Sequence, residues 1–341
     1  MIKTIIVIVI IALGTFCTNT LAKGRDEIRI VGSSAVLMFA QKVAENYAAH
    51  FEFPSPSVEI TGGGNGFNLF CSGIGYQYPD INVTARPISD AELASCRKKG
   101  VDDIVEIIVG LDILAVVNIN LSPQIEISVF ELFNAISAKV EKDGRFVDNP
   151  YQKWSDIRPE LPDLPIHVMG PSPASSYYDA FMELVMKRGC ILFPNISSLS
   201  EEERFKLCHN PRQDGAFIAG LNNDNAVLQW LRSDPGAFAI VPNYLLEQYP
   251  DYISANPIDG SKPKAPAISS GRYPFSRPIY LYAKKRHIES ISGMQEFLYE
   301  FTAERSIGPE GYLADKGFYS LNEQGRNKAR DSALSLTPLK R

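Results

Sequence analysis

Three short stretches place glycines or hydroxyl side chains between an apolar run and a helical pattern, and the chemistry they suit is the holding of an oxyanion. Gly32-Ser33-Ser34 follows a strand-like run at 27–31 and precedes apolar residues at helical spacing over 36–51. Gly62-Gly63-Gly64-Asn65-Gly66 follows a strand-like 58–61 and leads into a short helix opening at Phe67. A Pro-rich loop at 170–174 follows the strand-like 166–169, and Ser175-Ser176-Tyr177 opens a helix running to about Arg188. A helix N-terminus carries unsatisfied N–H groups and about half a positive charge, so it attracts anions. Glycine lets backbone approach closely, and hydroxyls donate without adding formal charge. If the three helix starts converge, they cage one small tetrahedral anion. Each also has a plainer reading, because serine at a helix start is a common N-cap and a glycine-rich turn is often only a turn.

A fourth stretch adds charge. In Pro79-Asp80-Ile81-Asn82-Val83-Thr84-Ala85-Arg86-Pro87, an acid and a guanidinium flank a strand-like run. Arg86 can grip an oxyanion with two parallel hydrogen bonds. Asp80 fits such a site only if the anion has a proton to give. Hydrogen phosphate has one and sulfate does not, so Asp80 would discriminate between them. The alternative is a surface Asp–Arg pair. Signals for hydrolysis are missing: no G-x-S-x-G elbow and no H-E-x-x-H helix occurs, and His50, His167, His209 and His287 are scattered. His167 and the Ser175 loop are the nearest approach to a Ser–His arrangement, and an ordinary core or surface histidine is much the commoner reading.

The elements that must position these residues belong to an exported chain. Lys3 precedes an apolar run at 5–13, and Thr20-Leu21-Ala22 offers small residues at the cleavage positions of a secretory signal, expected at residues 1–22. That run is short of the roughly 20 apolar residues a membrane span needs. Of five cysteines, Cys17 lies in this leader, leaving Cys71, Cys96, Cys190 and Cys208 for an oxidising compartment. Two disulfides are expected. Of the three connectivities, the sequential Cys71–Cys96 and Cys190–Cys208 closes the shortest loops, and four buried thiols are the alternative. The net charge of −5 argues against a nucleic-acid partner.

The 341 residues exceed one ordinary domain, so two lobes are expected. Continuous apolar runs at 104–109 and 113–117 suggest strands covered on both faces, hence an α/β architecture. Further strands are expected at 238–241 and 280–283, and helices at 130–136, 226–231 and 291–302. Residues 259–278 suggest a long connection, and 326–341 a loose polar tail.

The residues resemble the substrate-binding proteins of phosphate ABC transporters, the PstS group. The resemblance covers nearly the whole chain after the leader. It rests on Gly32-Ser33-Ser34, Thr61-Gly62-Gly63-Gly64-Asn65-Gly66-Phe67, Asp80-Ile81 through Ala85-Arg86-Pro87-Ile88 and Leu114-Ala115-Val116-Val117-Asn118, and it continues through Lys153-Trp154-Ser155-Asp156-Ile157, Arg277-Pro278-Ile279-Tyr280-Leu281-Tyr282 and Glu310-Gly311-Tyr312-Leu313. It implies an α/β, two-lobed periplasmic binding protein fold of type II, with 114–118 and 278–282 as paired hinge crossover strands. Lobe 1 would be residues 23–116 plus 281–341, and lobe 2 residues 117–280. It implies no catalysis and no cofactor. Inorganic phosphate would be held by Ser33, Ser34, Ala35, Gly63, Gly64, Asp80, Arg86, Ser175, Ser176 and Tyr177, in a periplasmic monomer that delivers it to the membrane permease subunits. Three departures stand out: Ala35 replaces a hydroxyl residue, Ser175-Ser176-Tyr177 stands where the group reads Ser-Gly-Thr, and Gly170-Pro171-Ser172 offers no arginine where many members carry one. They leave room for a different oxyanion, an organic phosphate, or a surface or sensor role without transport.

Overall fold

A computed structural model describes residues 25–61, 63–175, 177–220 and 223–340, with 34, 35, 63 and 64 described by backbone alone. The expected leader at 1–22 lies outside the described residues. β1 (Arg29–Gly32), β2 (Ser57–Ile60) and β3 (Ile81–Thr84) run parallel in the order β2-β1-β3. Each is followed by a helix that returns the chain to the same edge: α1 (Ser34–His50), α2 (Gly63–Phe70) and α3 (Asp90–Lys98). β4 (Ile104–Ile119) comes next, then a separate hairpin of β5 (Lys139–Lys142) and β6 (Arg145–Asp148). β7 (Val168–Gly170), β8 (Phe217–Ala219) and β9 (Phe238–Pro242) form a second parallel set, β10 (Ile253–Ala255) pairs with the end of β4, and β11 (Ser276–Lys284) is inserted antiparallel between β3 and β4. The strand order is β2-β1-β3-β11-β4-β9-β7-β8.

β4 joins the two parallel sets. Its residues 104–113 pair with β11, and Leu114–Val117 pair with β9. The sequence suggested two strands broken at Gly110-Leu111-Asp112, but the chain runs through in one. The small and charged residues there mark a bulge instead: Ile279 opposes Gly110 while Tyr280 opposes Ile108, so Val109 is the extra residue. Gly110 is required, since a Cβ would come within 2.1 Å of the Phe318 ring. The expected pairing of 278–282 with 114–118 is corrected accordingly: Pro278 faces Leu111 and Tyr282 faces Glu106.

A large apolar core lies on each side of this junction. One gathers Ile30, Val83, Ile107, Leu281 and Phe297, and the other Phe133, Trp154, Phe181, Phe238 and Phe275, all nearly inaccessible. Met38 of α1 is partly buried against both. Both expected disulfides form, Cys71–Cys96 tying the end of α2 to α3 and Cys190–Cys208 tying a helical segment to the helix Glu201–Cys208. Among the described residues no helix is long and apolar enough to cross a membrane.

Two expectations fail. The connection at 259–278 contains a helix at Ala265–Ser269 and the first residues of β11. The tail at 326–341 is mostly the helix Glu323–Ser335, and Leu339 N–H donates to the Ile104 carbonyl at 2.7 Å. The misreading has a physical cause. This helix buries only small residues, Ala329 and Ala333, so it has almost no apolar stripe to see. Ala329→Leu should therefore overpack a tight contact and cost about 1–3 kcal/mol in urea unfolding, where a loose tail would show no change.

Candidate functional site

The antiparallel pairing of β4 with both neighbours sets the geometry. The carboxyl end of β9 lies at Leu114, where Pro242 pairs, and the carboxyl end of β3 lies at Tyr280, where Thr84 pairs. The carboxyl ends of both parallel sets thus face the same stretch of β4 and β11, the position where open α/β sheets hold ligands.

Ser33, Thr84, Ala85 and Arg86 line one cavity there, of about 670 Å³, together with Arg277 and side chains of the helical segment after Tyr178. Ser33 occupies the N-cap position of α1, yet its side chain makes no capping bond. It is 5% exposed, and its Oγ has no hydrogen-bond partner among the described residues. A buried hydroxyl without a partner is costly, so it needs a ligand or water. Arg86 is held more firmly. Its guanidinium meets both oxygens of Glu92 at 2.7 and 2.8 Å and lies 4.9 Å over the Phe67 ring. The hydrogen bond to Glu92 raises the Arg86 pKa. Burial pushes Glu92 upward, but hydrogen bonds from Arg86 and Ser89 outweigh it and hold this carboxyl below its usual value. Ser89 and Glu92 also form the capping box of α3, so the helix start fixes the arginine's partner.

Arg277 was not singled out by sequence reasoning. It sits on β11 opposite Asp112, its Nε donating to Asp112 Oδ2 at 2.9 Å. Nη2 lies 2.9 Å from the same oxygen but off the angle of a hydrogen bond, and it has no bonded partner among the described residues. Asp112 is 1% exposed, so the pair is a buried ion pair anchored through Nε, with Nη2 left unsatisfied. The sequence signal was a lone aspartate inside a long apolar strand, which needs a counter-charge once buried.

The remaining expected residues divide. Ser34 and Ala35 open α1, and Gly63 and Gly64 open α2. Gly66 lets that first turn press on β3: a Cβ there would stand 2.7 Å from Asn82 Oδ1. The buried Asn82 amide has no partner among the described residues on either side-chain atom. Ser175 and Tyr177 line a neighbouring cavity of about 320 Å³ with Tyr244 and Asp224. The Tyr177 hydroxyl donates to the Lys316 carbonyl at 3.4 Å, and burial pushes its pKa upward. Ser176 lies outside the described residues.

Asp80 requires correction. It precedes β3 at the amino edge of the sheet, whereas Arg86 lies beyond the carboxyl end, roughly 13 Å of strand away. Its carboxylate is inaccessible and fully used: it accepts from Arg25 at 2.8 Å, from the Arg29 N–H at 2.6 Å and from His287 Nδ1 at 2.6 Å. Gly75 N–H donates to His287 Nε2, which fixes the ring proton on Nδ1. Asp80 does not line the cavity and so cannot accept from an anion there. Asp80→Asn should lower stability by on the order of 3 kcal/mol, as for any broken buried pair, and leave anion affinity unchanged in titration calorimetry.

Lys284 completes this cluster, fully buried, with Nζ donating to the Gly73 carbonyl at 2.7 Å beneath Phe70 and Tyr78. Burial pushes it down to about 7, against the upward pull of Asp80 and Asp103. The unfolded chain keeps this proton to about pH 10.4, so between these values the unfolded state binds more protons and stability rises with pH. The stability of Lys284→Met relative to the parent should fall between about pH 6 and about pH 10, by on the order of 3 kcal/mol in denaturant titrations. A difference independent of pH would assign Lys284 an ordinary value.

Comparison with known proteins bears on the fold and the family. The model of the PBP superfamily domain matches residues 18–305. Protein SphX of Synechococcus elongatus is 27% identical over 271 residues, 76% of this chain and 70% of its own length. The phosphate-binding protein PstS of Staphylococcus saprophyticus is 24% identical over 318 residues, 88% of this chain and 82% of its own. Among solved structures, a possible phosphate binding protein from Planctomyces limnophilus matches with a TM-score of 0.70 at 24% identity, covering 92% of this chain and 99% of that one. PstS from Borrelia burgdorferi matches with 0.61 at 16%, covering 87% and 100%. The two structures speak for the fold, mixed α/β with a curled sheet, and the family model covers most of the chain. The chain belongs to the PBP superfamily.

Proposed function

We propose that this protein is the phosphate-binding component of an ABC transporter, exported through a cleaved leader at residues 1–22 and acting as a periplasmic monomer that hands phosphate to membrane permease subunits. In this reading residues 23–116 with 281–341 form one lobe and 117–280 the other, with the anion held between them. The observation that carries it is the pairing of Ser33 Oγ with Arg277 Nη2: both are buried donors without a hydrogen-bonded partner among the described residues, and both residues line the cavity that Arg86 also lines. A neutral hydroxyl and a guanidinium held in place by Asp112 are what a dianion needs, and the backbone N–H groups opening α1 and α2 add to them. Binding closes the lobes without chemistry, and the closed form is what the permease recognises.

Ser33→Ala separates this role from a structural one, because the hydroxyl makes no cap to lose. Phosphate affinity in titration calorimetry should fall about tenfold, the worth of one hydrogen bond to a charged group, while the urea midpoint stays put. A folded parent protein that gives no heat with phosphate would sink the reading.

A further inference from the structure

The cavity is much larger than one tetrahedral anion needs. Its volume, about 670 Å³, lies in the range that encloses a drug-sized molecule. The part of its lining beyond the arginines is also unlike an anion cage. Phe205 is 62% exposed at its wall and stacks on His209, ring centroids 4.1 Å apart and planes 21° from parallel. An aromatic face that is exposed where it lines a cavity is available for a ring to stack on. Met182 and the carboxylates Asp179 and Glu183 also line the cavity.

This wall is fixed in place. The Cys190–Cys208 disulfide ties the helix carrying Phe205 to the helical segment that carries Met182, Glu183 and Arg188. Arg188 in turn donates to the Pro274 carbonyl, just before β11. A flat stacking surface therefore stands at a set place in the same cavity as Ser33, Arg86 and Arg277. The carboxylates, Glu183 already paired with Lys187 at 2.8 Å, can accept hydrogen bonds from hydroxyls.

We propose that the cavity accepts phosphate monoesters whose organic part carries hydroxyls and a flat ring, with the phosphoryl group at Ser33, Arg86 and Arg277 and the ring on Phe205 and His209. This deepens the phosphate reading and rests on it. Base–aromatic stacking of this kind is tolerant of ring identity, so a nucleoside monophosphate is a suitable probe.

The test is titration calorimetry of the full protein with inorganic phosphate, ribose 5-phosphate and AMP, on the parent, Phe205→Ala and Phe205→Tyr. The expected result is AMP binding at least tenfold tighter than phosphate, ribose 5-phosphate falling between them, loss of most of the AMP advantage in Phe205→Ala with phosphate affinity unchanged, and its retention in Phe205→Tyr. Phosphate binding with AMP neither binding nor competing would overturn the inference and leave the phosphate reading intact. Equal AMP affinity in the parent and Phe205→Ala would also overturn it. Absence of heat with all three ligands would overturn the phosphate reading itself, and this inference with it.

Discussion

One continuous strand sets the rest of the structure. β4 gives its first ten residues to β11 and the next four to β9, so two parallel sheets that would otherwise be independent are aligned with their carboxyl ends toward each other. The helix starts, the small-residue loops and the cationic side chains all lie at those ends because parallel strands deliver the chain there before each helix. Had β4 ended at Gly110, as its composition suggests, nothing would align Ser33 and Arg86 with the segment after Tyr178. The bulge at Val109 and the bare Gly110 under Phe318 are what let an apolar strand turn through this point without losing its pairing.

The electrostatics follow from where that junction lies. Asp112 and Arg277 face each other across β4 and β11 in the part of the molecule least open to water, where a lone charge would be expensive and a pair is tolerable. The geometry of the pair is lopsided. Asp112 holds Nε and leaves Nη2 off axis, so the guanidinium is neutralised for folding yet still presents protons. Arg86 is held differently, by both oxygens of Glu92 through its two terminal nitrogens. The Asp80 cluster at the other edge is the opposite case: Arg25, His287 and a backbone N–H satisfy the carboxylate completely, and Lys284 is spent on the Gly73 carbonyl. A site that binds must keep something unsatisfied, and a site that only holds the fold must not.

Legibility in the sequence tracks the same distinction. The strand-loop-helix unit at Ser33, the α/β class and the sequential disulfides were readable because each rests on local pattern or short loop length, whereas the second helix opens at Gly63 rather than Phe67 and the third at Tyr178 rather than Ser175. Asp80 misled because a single strand has two ends, and a motif written as a line does not say which end meets the ligand. Its burial depends on His287, about two hundred positions away, which no local rule connects to it. Arg277 was quoted only as part of a strand motif for the converse reason. Its role depends on facing Asp112, a register fact of β11 against β4. The closing helix at Glu323–Ser335 was hidden by its small buried residues.

The placement of the two disulfides adds a last constraint. Each closes a short loop, worth about 3 kcal/mol in the unfolded-chain model, and all four cysteines are buried. Cys71–Cys96 braces α2 and α3 behind Gly66 and Glu92, and Cys190–Cys208 braces the wall carrying Phe205 and His209. Both therefore stiffen what surrounds the cavity rather than the junction strands beneath it. An anion site built from one hydroxyl, two pre-paired arginines and backbone N–H groups has little charge to spare, so its affinity depends on those donors being in place before the ligand arrives. Bracing the walls keeps the donors positioned while leaving β4, continuous across the junction, as the strand that relates one wall to the other.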